Sequence, residues 1–203
     1  MTGISDERTS DMTETMNAKK KKVVLLGDSI RLIGYGPKLP ALLGGECEVW
    51  QPADNGRYSA FTLHSIMHYW QNDIRDADVI HWNNGLWDVQ IGTDGQPLAL
   101  LDEYLRTMCR IADILLRNTK TLIFATTTPV TAVHPDIATA DIERYNAALV
   151  PLLEEKGVVI DDLFAVVAAD IDRFVRKDDN IHLTEDGNTV CAETAAAVIR
   201  RYL

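Results

Sequence analysis

Cysteine is scarce in this chain: three in 203 residues, Cys47, Cys109 and Cys191, odd in number and far apart. That excludes a disulfide framework and fits a reducing compartment. Basic residues are also in deficit, 20 Lys and Arg against 30 Asp and Glu, for a formal charge of −10. Nucleic acid and anionic lipid both call for the opposite balance, so neither is expected as a partner. No window approaches the ~18 apolar residues of a membrane span. No basic start followed by ~7–15 apolar residues marks a secretory signal. Residues 1–20 are polar and mixed in charge, and read as a disordered leader on a cytoplasmic protein. The four lysines at 19–22 read as a solvated entry to a buried strand rather than a targeting signal.

What is present suffices for one core, with 46% hydrophobic and 25% charged residues in a length near that of one domain. The apolar run Val23-Val24-Leu25-Leu26 ends at Gly27, as a strand buried on both faces should. Further strands are expected over residues 47–50, 78–82, 121–125 and 158–160. Helices are expected over 59–71, 98–117 and 141–156, the second with Leu101, Leu105, Met108, Ile111 and Leu115 on one stripe. Gly157 is placed to end the third, and Thr184 to N-cap a last helix running to the C-terminus. Alternating strands and helices imply a flavodoxin-like three-layer α/β/α sandwich with a five-stranded parallel sheet ordered 2-1-3-4-5. In such sheets ligands bind at the carboxyl ends of the strands.

Two segments at that edge carry chemistry. Gly27-Asp28-Ser29 puts a serine between the first strand and a helix start, where backbone N–H groups favour negative charge. A serine there also reads as an ordinary N-cap. Asp179 and His182, separated by two residues before the last helix, can hydrogen-bond across a tight turn. The carboxylate would then hold the imidazole in the tautomer that takes a proton from a serine hydroxyl.

These two segments, in this order, resemble the GDSL, or SGNH, hydrolases, esterases and lipases on a flavodoxin-like fold. Gly56 in Asp54-Asn55-Gly56-Arg57 resembles the family's second block, and His81-Trp82-Asn83-Asn84-Gly85-Leu86-Trp87-Asp88 its third. The resemblance covers residues 21–203, taken as one hydrolase domain. It implies Ser29 as nucleophile, His182 as general base and acid, and Asp179 as the orienting carboxylate. It implies oxyanion donors from the N–H groups of Ser29 and Gly56. The family's third block usually offers an Asn side chain as third donor, and Trp87 stands in that place here. Asn83 or Asn84 is the expected replacement, Asn83 the preferred one. Asp28 and Trp87 are expected to touch substrate, and Asp88 to serve the turn. No metal or organic cofactor is implied.

The expected reaction is hydrolysis of a small ester, by preference an O-acetyl group on a carbohydrate. A short-chain lipase or acylhydrolase, and a catalytically silent carbohydrate-binding protein on the same fold, are the alternatives. A receiver-like domain lacks its acidic pair at the end of the first strand, and no GxGxxG follows that strand to hold a dinucleotide. His64 and His68 share a helical face but have no third metal ligand, so a plain helix face is expected. His134 reads as a loop residue. Trp82 and Trp87 are expected to flank the site, Trp50 and Trp70 to pack in the core, and residues 90–97 to form a mobile rim.

Overall fold

The computed structural model describes residues 20–203. The leader expected over residues 1–20 therefore lies, Lys20 apart, outside the described residues. Strands β1 (Lys21–Leu26), β2 (Cys47–Trp50), β3 (Ala77–Trp82), β4 (Thr119–Ala125) and β5 (Val159–Asp161) form one sheet in the order β2-β1-β3-β4-β5. Every pairing is parallel. Helices α2 (Ser59–His68), α3 (Leu101–Leu116) and α4 (Thr139–Glu155) pack with one another on one face. On the other lie α1 (Leu39–Leu42), α5 (Leu163–Ala168), α6 (Ile171–Phe174) and α7 (Glu185–Arg200).

The centre of the sheet shows why these segments became strands. Val23, Val24, Leu25 and Leu26 are all fully buried, because helices cover both faces of β1 and no position along it meets water. Lys21 and Lys22 belong to the same strand, at its solvated amino end; the Lys22 N–H donates to Asp78. α3 turns Tyr104, Met108, Ile111, Ala112 and Leu115 into the core, a helical spacing that leaves the expected Leu101 and Leu105 half-buried. It starts at Leu101, later than expected, because Leu98 and Ala99 give their N–H groups to Gln90 and Asp88 carbonyls in the preceding loop. α7 packs small residues, Cys191, Ala192, Ala195 and Ala196, against the sheet. Its N-cap is Thr184, whose hydroxyl accepts the Gly187 N–H at 3.1 Å.

Two stretches differ from expectation. Residues 162–174 hold two short helices, α5 and α6, where no element was expected, capped by Asp162 and Asp170, whose carboxylates accept N–H groups three residues on. The helix after Ser29 is irregular: π-type hydrogen bonding over Ile30–Tyr35, broken at Gly34 (φ −104°, ψ −109°), then a tight 3₁₀ turn over Gly36–Lys38. Among the described residues no helix is long and apolar enough to cross a membrane.

The sheet order fixes the place of the chemistry. The chain leaves β1 outward to β2 and then returns to the other side for β3, so the ends of β1 and β3 lie side by side, Leu26 beside Trp82. The cleft opens at this reversal, and the Gly27–Ser29 turn follows Leu26 directly.

Candidate active site

Ser29 occupies the N-cap position of the irregular helix, yet its side chain caps nothing. Its hydroxyl instead lies 2.9 Å from His182 Nε2. The reading of Ser29 as a simple cap therefore fails. His182 Nδ1 in turn lies 2.9 Å from Asp179 Oδ2. A carboxylate only accepts, so the shared hydrogen belongs to Nδ1, and the Nε2 lone pair faces the serine hydroxyl. Asp179 Oδ1 also accepts the N–H groups of Ile181 (3.1 Å) and His182 (3.0 Å). Partial burial works against the charged carboxyl, but these bonds and His182 outweigh it and hold Asp179 below its ordinary value. The turn that allows this places Asn180 at φ 64°, with its side chain accepting the Thr131 hydroxyl at 2.7 Å.

The expected oxyanion donors sit differently. Among the described residues no acceptor takes the Ser29 N–H. The Gly56 N–H donates to the Gly27 carbonyl at 2.8 Å, so it is not a free donor. Gly56 is needed for packing: a Cβ there would lie 2.6 Å from Gly27 O. Asn83 is also committed beneath the turn. Its Nδ2 donates to Asp28 at 3.0 Å and its Oδ1 accepts the Tyr35 hydroxyl at 3.3 Å. Asn83 keeps its second Nδ2 hydrogen and is slightly less buried than Asn84, 4% against 0% exposed, so it remains a candidate third donor. Asn84 Nδ2 donates to the Arg57 carbonyl at 2.8 Å, in the loop just after Gly56, and its Oδ1 accepts the Trp82 indole N–H at 2.7 Å. One amide hydrogen of Asn84 remains for a ligand.

Neither the family models nor the curated proteins include a match to this sequence. Solved structures do match. The acetylxylan esterase of Geobacillus stearothermophilus has a TM-score of 0.73 at 16% identity, covering 89% of this chain and 94% of that one. An α/β hydrolase from the metagenome of Lake Arreo, Spain, gives 0.71 at 19%, covering 92% and 98%. The lipase/acylhydrolase of Enterococcus faecalis gives 0.74 at 17%, covering 89% and 96%. The fold is shared with these esterases and hydrolases. At such identities the likeness extends to architecture, and the site stands on its own geometry.

Within this fold several expected contacts move. Asp28 is fully buried and cannot touch substrate. Burial raises its carboxyl above the ordinary value against the pull of Asn83, the Ile30 N–H and Arg31. Trp82 is likewise fully buried, edge-on to Phe124, and does not flank the site. Trp87 is 37% exposed and can offer its ring. Asp88 accepts the Ser59 N–H and hydroxyl and so ties the third loop to α2; burial pushes its carboxyl up to about 7. Residues 90–97 close into a small hairpin, with an Ile91–Pro97 bridge and a bond from Gly92 N–H to Gln96 O. His134 Nδ1 accepts two loop N–H groups, and His64 and His68 stack in the open on α2.

Three residues near the site escaped the sequence reading. Arg31 is fully buried, and its guanidinium donates to the carbonyls of Gly27, Pro52 and Asp54, clamping the second loop to the nucleophile turn. Its position inside Ile30-Arg31-Leu32-Ile33 was the available signal, a lone charge in an apolar run. Arg176 lies 3.7 Å from Asp179 Oδ2 and also pairs with Asp178. Ile33, with Gly34, Leu183 and Asn188, lines a small cavity of about 50 Å³ beside Ser29 and His182.

Proposed function

We propose that this protein is a serine esterase of small carboxylic esters, above all acetyl esters, working through an acyl-enzyme on Ser29. The observation that carries the reading is the unbroken line Asp179–His182–Ser29, with 2.9 Å at each side-chain contact. His182 Nε2 takes the hydroxyl proton as Ser29 Oγ attacks the acyl carbonyl. The tetrahedral oxyanion receives the Ser29 N–H and the remaining amide hydrogen of Asn83 or Asn84. His182 then returns the proton to the departing alcohol, leaving the acyl group on Ser29. Water, deprotonated by the same imidazole, attacks that acyl group and releases the acid. Asp179 stabilises the imidazolium in both halves.

The size of the acyl group follows from the cavity. Its volume of about 50 Å³ is far below the ~300–1,000 Å³ of pockets for drug-sized ligands, and so favours acetyl over long chains. The acetylxylan esterase neighbours and the exposed Trp87 ring support an acetylated carbohydrate as the leaving group. The three unpaired cysteines favour a cytoplasmic location, and the working domain is residues 21–203. A silent carbohydrate-binding role would leave the connected relay without a purpose.

The test is hydrolysis of p-nitrophenyl acetate, butyrate and octanoate by wild type and Ser29→Ala, with acetate release from acetylated xylooligosaccharides alongside. We expect rates falling from acetate to octanoate and lost in Ser29→Ala. Equal rates in both proteins overturn the esterase reading; a preference for octanoate replaces it with a lipase. Of Asn83→Ala and Asn84→Ala, the one that removes the third donor is expected to lose ~10²-fold in turnover.

A further inference from the structure

Beneath the Gly27–Ser29 turn runs a line of buried polar side chains, most of which the ester chemistry leaves unused. It begins at Asp161, the last residue of β5, whose Oδ2 lies 2.9 Å from His81 Nε2. His81, the last residue but one of β3, is fully buried and gives its Nε2 hydrogen to Asp161; it backs Tyr35 by packing, meeting the ring edge-on with Nδ1 3.5 Å from the hydroxyl. That hydroxyl reaches Asn83 Oδ1 at 3.3 Å, and Asn83 Nδ2 donates to Asp28 Oδ1 at 3.0 Å. The same Asp28 oxygen accepts the Ile30 N–H at 3.0 Å. Asp28 precedes Ser29 and Ile30 follows it, so the line ends by bracketing the nucleophile.

Three features set this line apart from ordinary core polarity. Buried polar groups cost free energy that apolar residues of the same shape avoid, so a row of them across a sheet core works against stability. The line has one end at a functional group, and that end is the turn that aims Ser29. It also has no slack at that end: a Cβ on Gly27 would lie 1.9 Å from Asn83 Oδ1, so Asn83 rests directly against the turn backbone. A shift of Asn83 is passed to Gly27 and Ser29 without a gap to absorb it.

We propose that Tyr35 is a positioning residue for the nucleophile. Backed by His81 and Asp161, its hydroxyl holds Asn83, and Asn83 through Asp28 fixes the backbone of Ser29. The inference rests on the reading of Ser29 as nucleophile. Reactions of this kind lose about 10²-fold for a misplacement of about 1 Å, so a smaller relaxation of the turn lowers turnover while substrate binding is kept.

The experiment uses the full chain with p-nitrophenyl acetate as substrate and a fluorophosphonate to count reactive serines. Tyr35→Phe keeps the ring and removes the hydroxyl. We expect kcat per titrated site to fall about tenfold, with KM within about twofold and one reactive serine per chain retained. A structural role alone would lower the denaturation midpoint and the number of reactive sites, leaving kcat per site unchanged. His81→Gln, one step further along the line, is expected to lose about threefold to fivefold, and serves where Tyr35→Phe folds poorly. Because both act through one line, the double variant should lose no more than Tyr35→Phe alone. Wild-type kcat per site in both single variants, or losses that multiply in the double variant, overturn the proposal. Wild-type hydrolysis that survives Ser29→Ala would instead remove the esterase reading and the proposal with it.

Discussion

The two halves of the relay are held in opposite ways. The Gly27–Ser29 turn is gripped from inside, mostly by residues remote in sequence. Arg31 and the Gly56 N–H hold the Gly27 carbonyl, the Asn83 N–H holds the Leu26 carbonyl, and Asn83 Nδ2 holds Asp28. Arg31 comes from the following helix, Gly56 and Asn83 come from two loops distant in sequence, and all three are shielded from water, which strengthens each bond and makes its loss costly. The Asp179–His182 turn is held mainly by its own neighbourhood. The Arg176 N–H donates to the His182 carbonyl, the Asn180 N–H to the Arg176 carbonyl, and Asp179 collects two N–H groups within its own turn. Its acid and base side chains are 31% and 26% exposed. Ser29 is thus fixed by the whole fold, and His182 by a short motif that carries most of its own geometry.

The contrast can be broken or sharpened by mutation. The largest effect is expected at the local half. Asp179→Asn places an amide against His182 Nδ1 and favours the wrong tautomer, which should lower kcat by about 10³–10⁴ with a small change in stability. A loss below about tenfold would mean that the turn alone, without the charge, orients the imidazole.

The buried half should answer in stability. Asp88 fastens the third loop to α2, and its carboxyl titrates near about 7 in the folded protein against an ordinary value of 3.8. The folded chain therefore keeps a proton that the unfolded chain releases, so this contribution is present below about pH 4 and is lost as pH rises to about 7. Asp88→Asn does not ionise and should remove a fall on the order of a few kcal/mol over that window. Urea midpoints of both proteins from pH 4 to 8 check this; parallel curves would show that Asp88 stays charged throughout. Subtracting the two curves also cancels Asp28, whose raised carboxyl acts in the same direction in both proteins.

Gly56→Ala forces a Cβ to within 2.6 Å of the Gly27 carbonyl, backbone against backbone. A cost of about 2 kcal/mol is expected in urea unfolding, along with weaker turnover, because the displaced partner belongs to the nucleophile turn. The smallest effect should come from the cavity wall. Ile33→Ala opens the space beside Ser29, and the hexanoate-to-acetate rate ratio should rise about threefold to tenfold with stability nearly unchanged, since Ile33 is 59% exposed.

The same contrast explains how much was legible. The Asp179–His182 turn could be read because its bonds span three residues, and the sequence states that spacing outright. The strand order could be read because β1 is apolar at every core position and because strands alternate with helices. The α5 and α6 helices were hidden by short length and by Asp162 and Asp170, which read as loop residues until their capping bonds are seen. The fate of Asn83 and Asn84 was hidden for a different reason. Adjacent residues after a strand point to opposite sides, and their partners, Asp28 and Tyr35 for one and Arg57 and Trp82 for the other, come from segments distant in sequence. Asp28 shows the same limit: its place beside the serine suggested contact with substrate, and burial turned it inward.

The sequence by itself determined the layered α/β architecture, the parallel sheet and the presence of a serine and an Asp–His pair at one edge. These follow from periodicity, run length and short spacings, which act over a few residues. Only the tertiary structure decided that the Ser29 hydroxyl meets His182 rather than caps its own helix, that Gly56 and Asn83 brace the turn, and that a buried line from Asp161 reaches Asp28. Each of those depends on which groups lose water together when distant segments pack, and desolvation is a property of the assembled core.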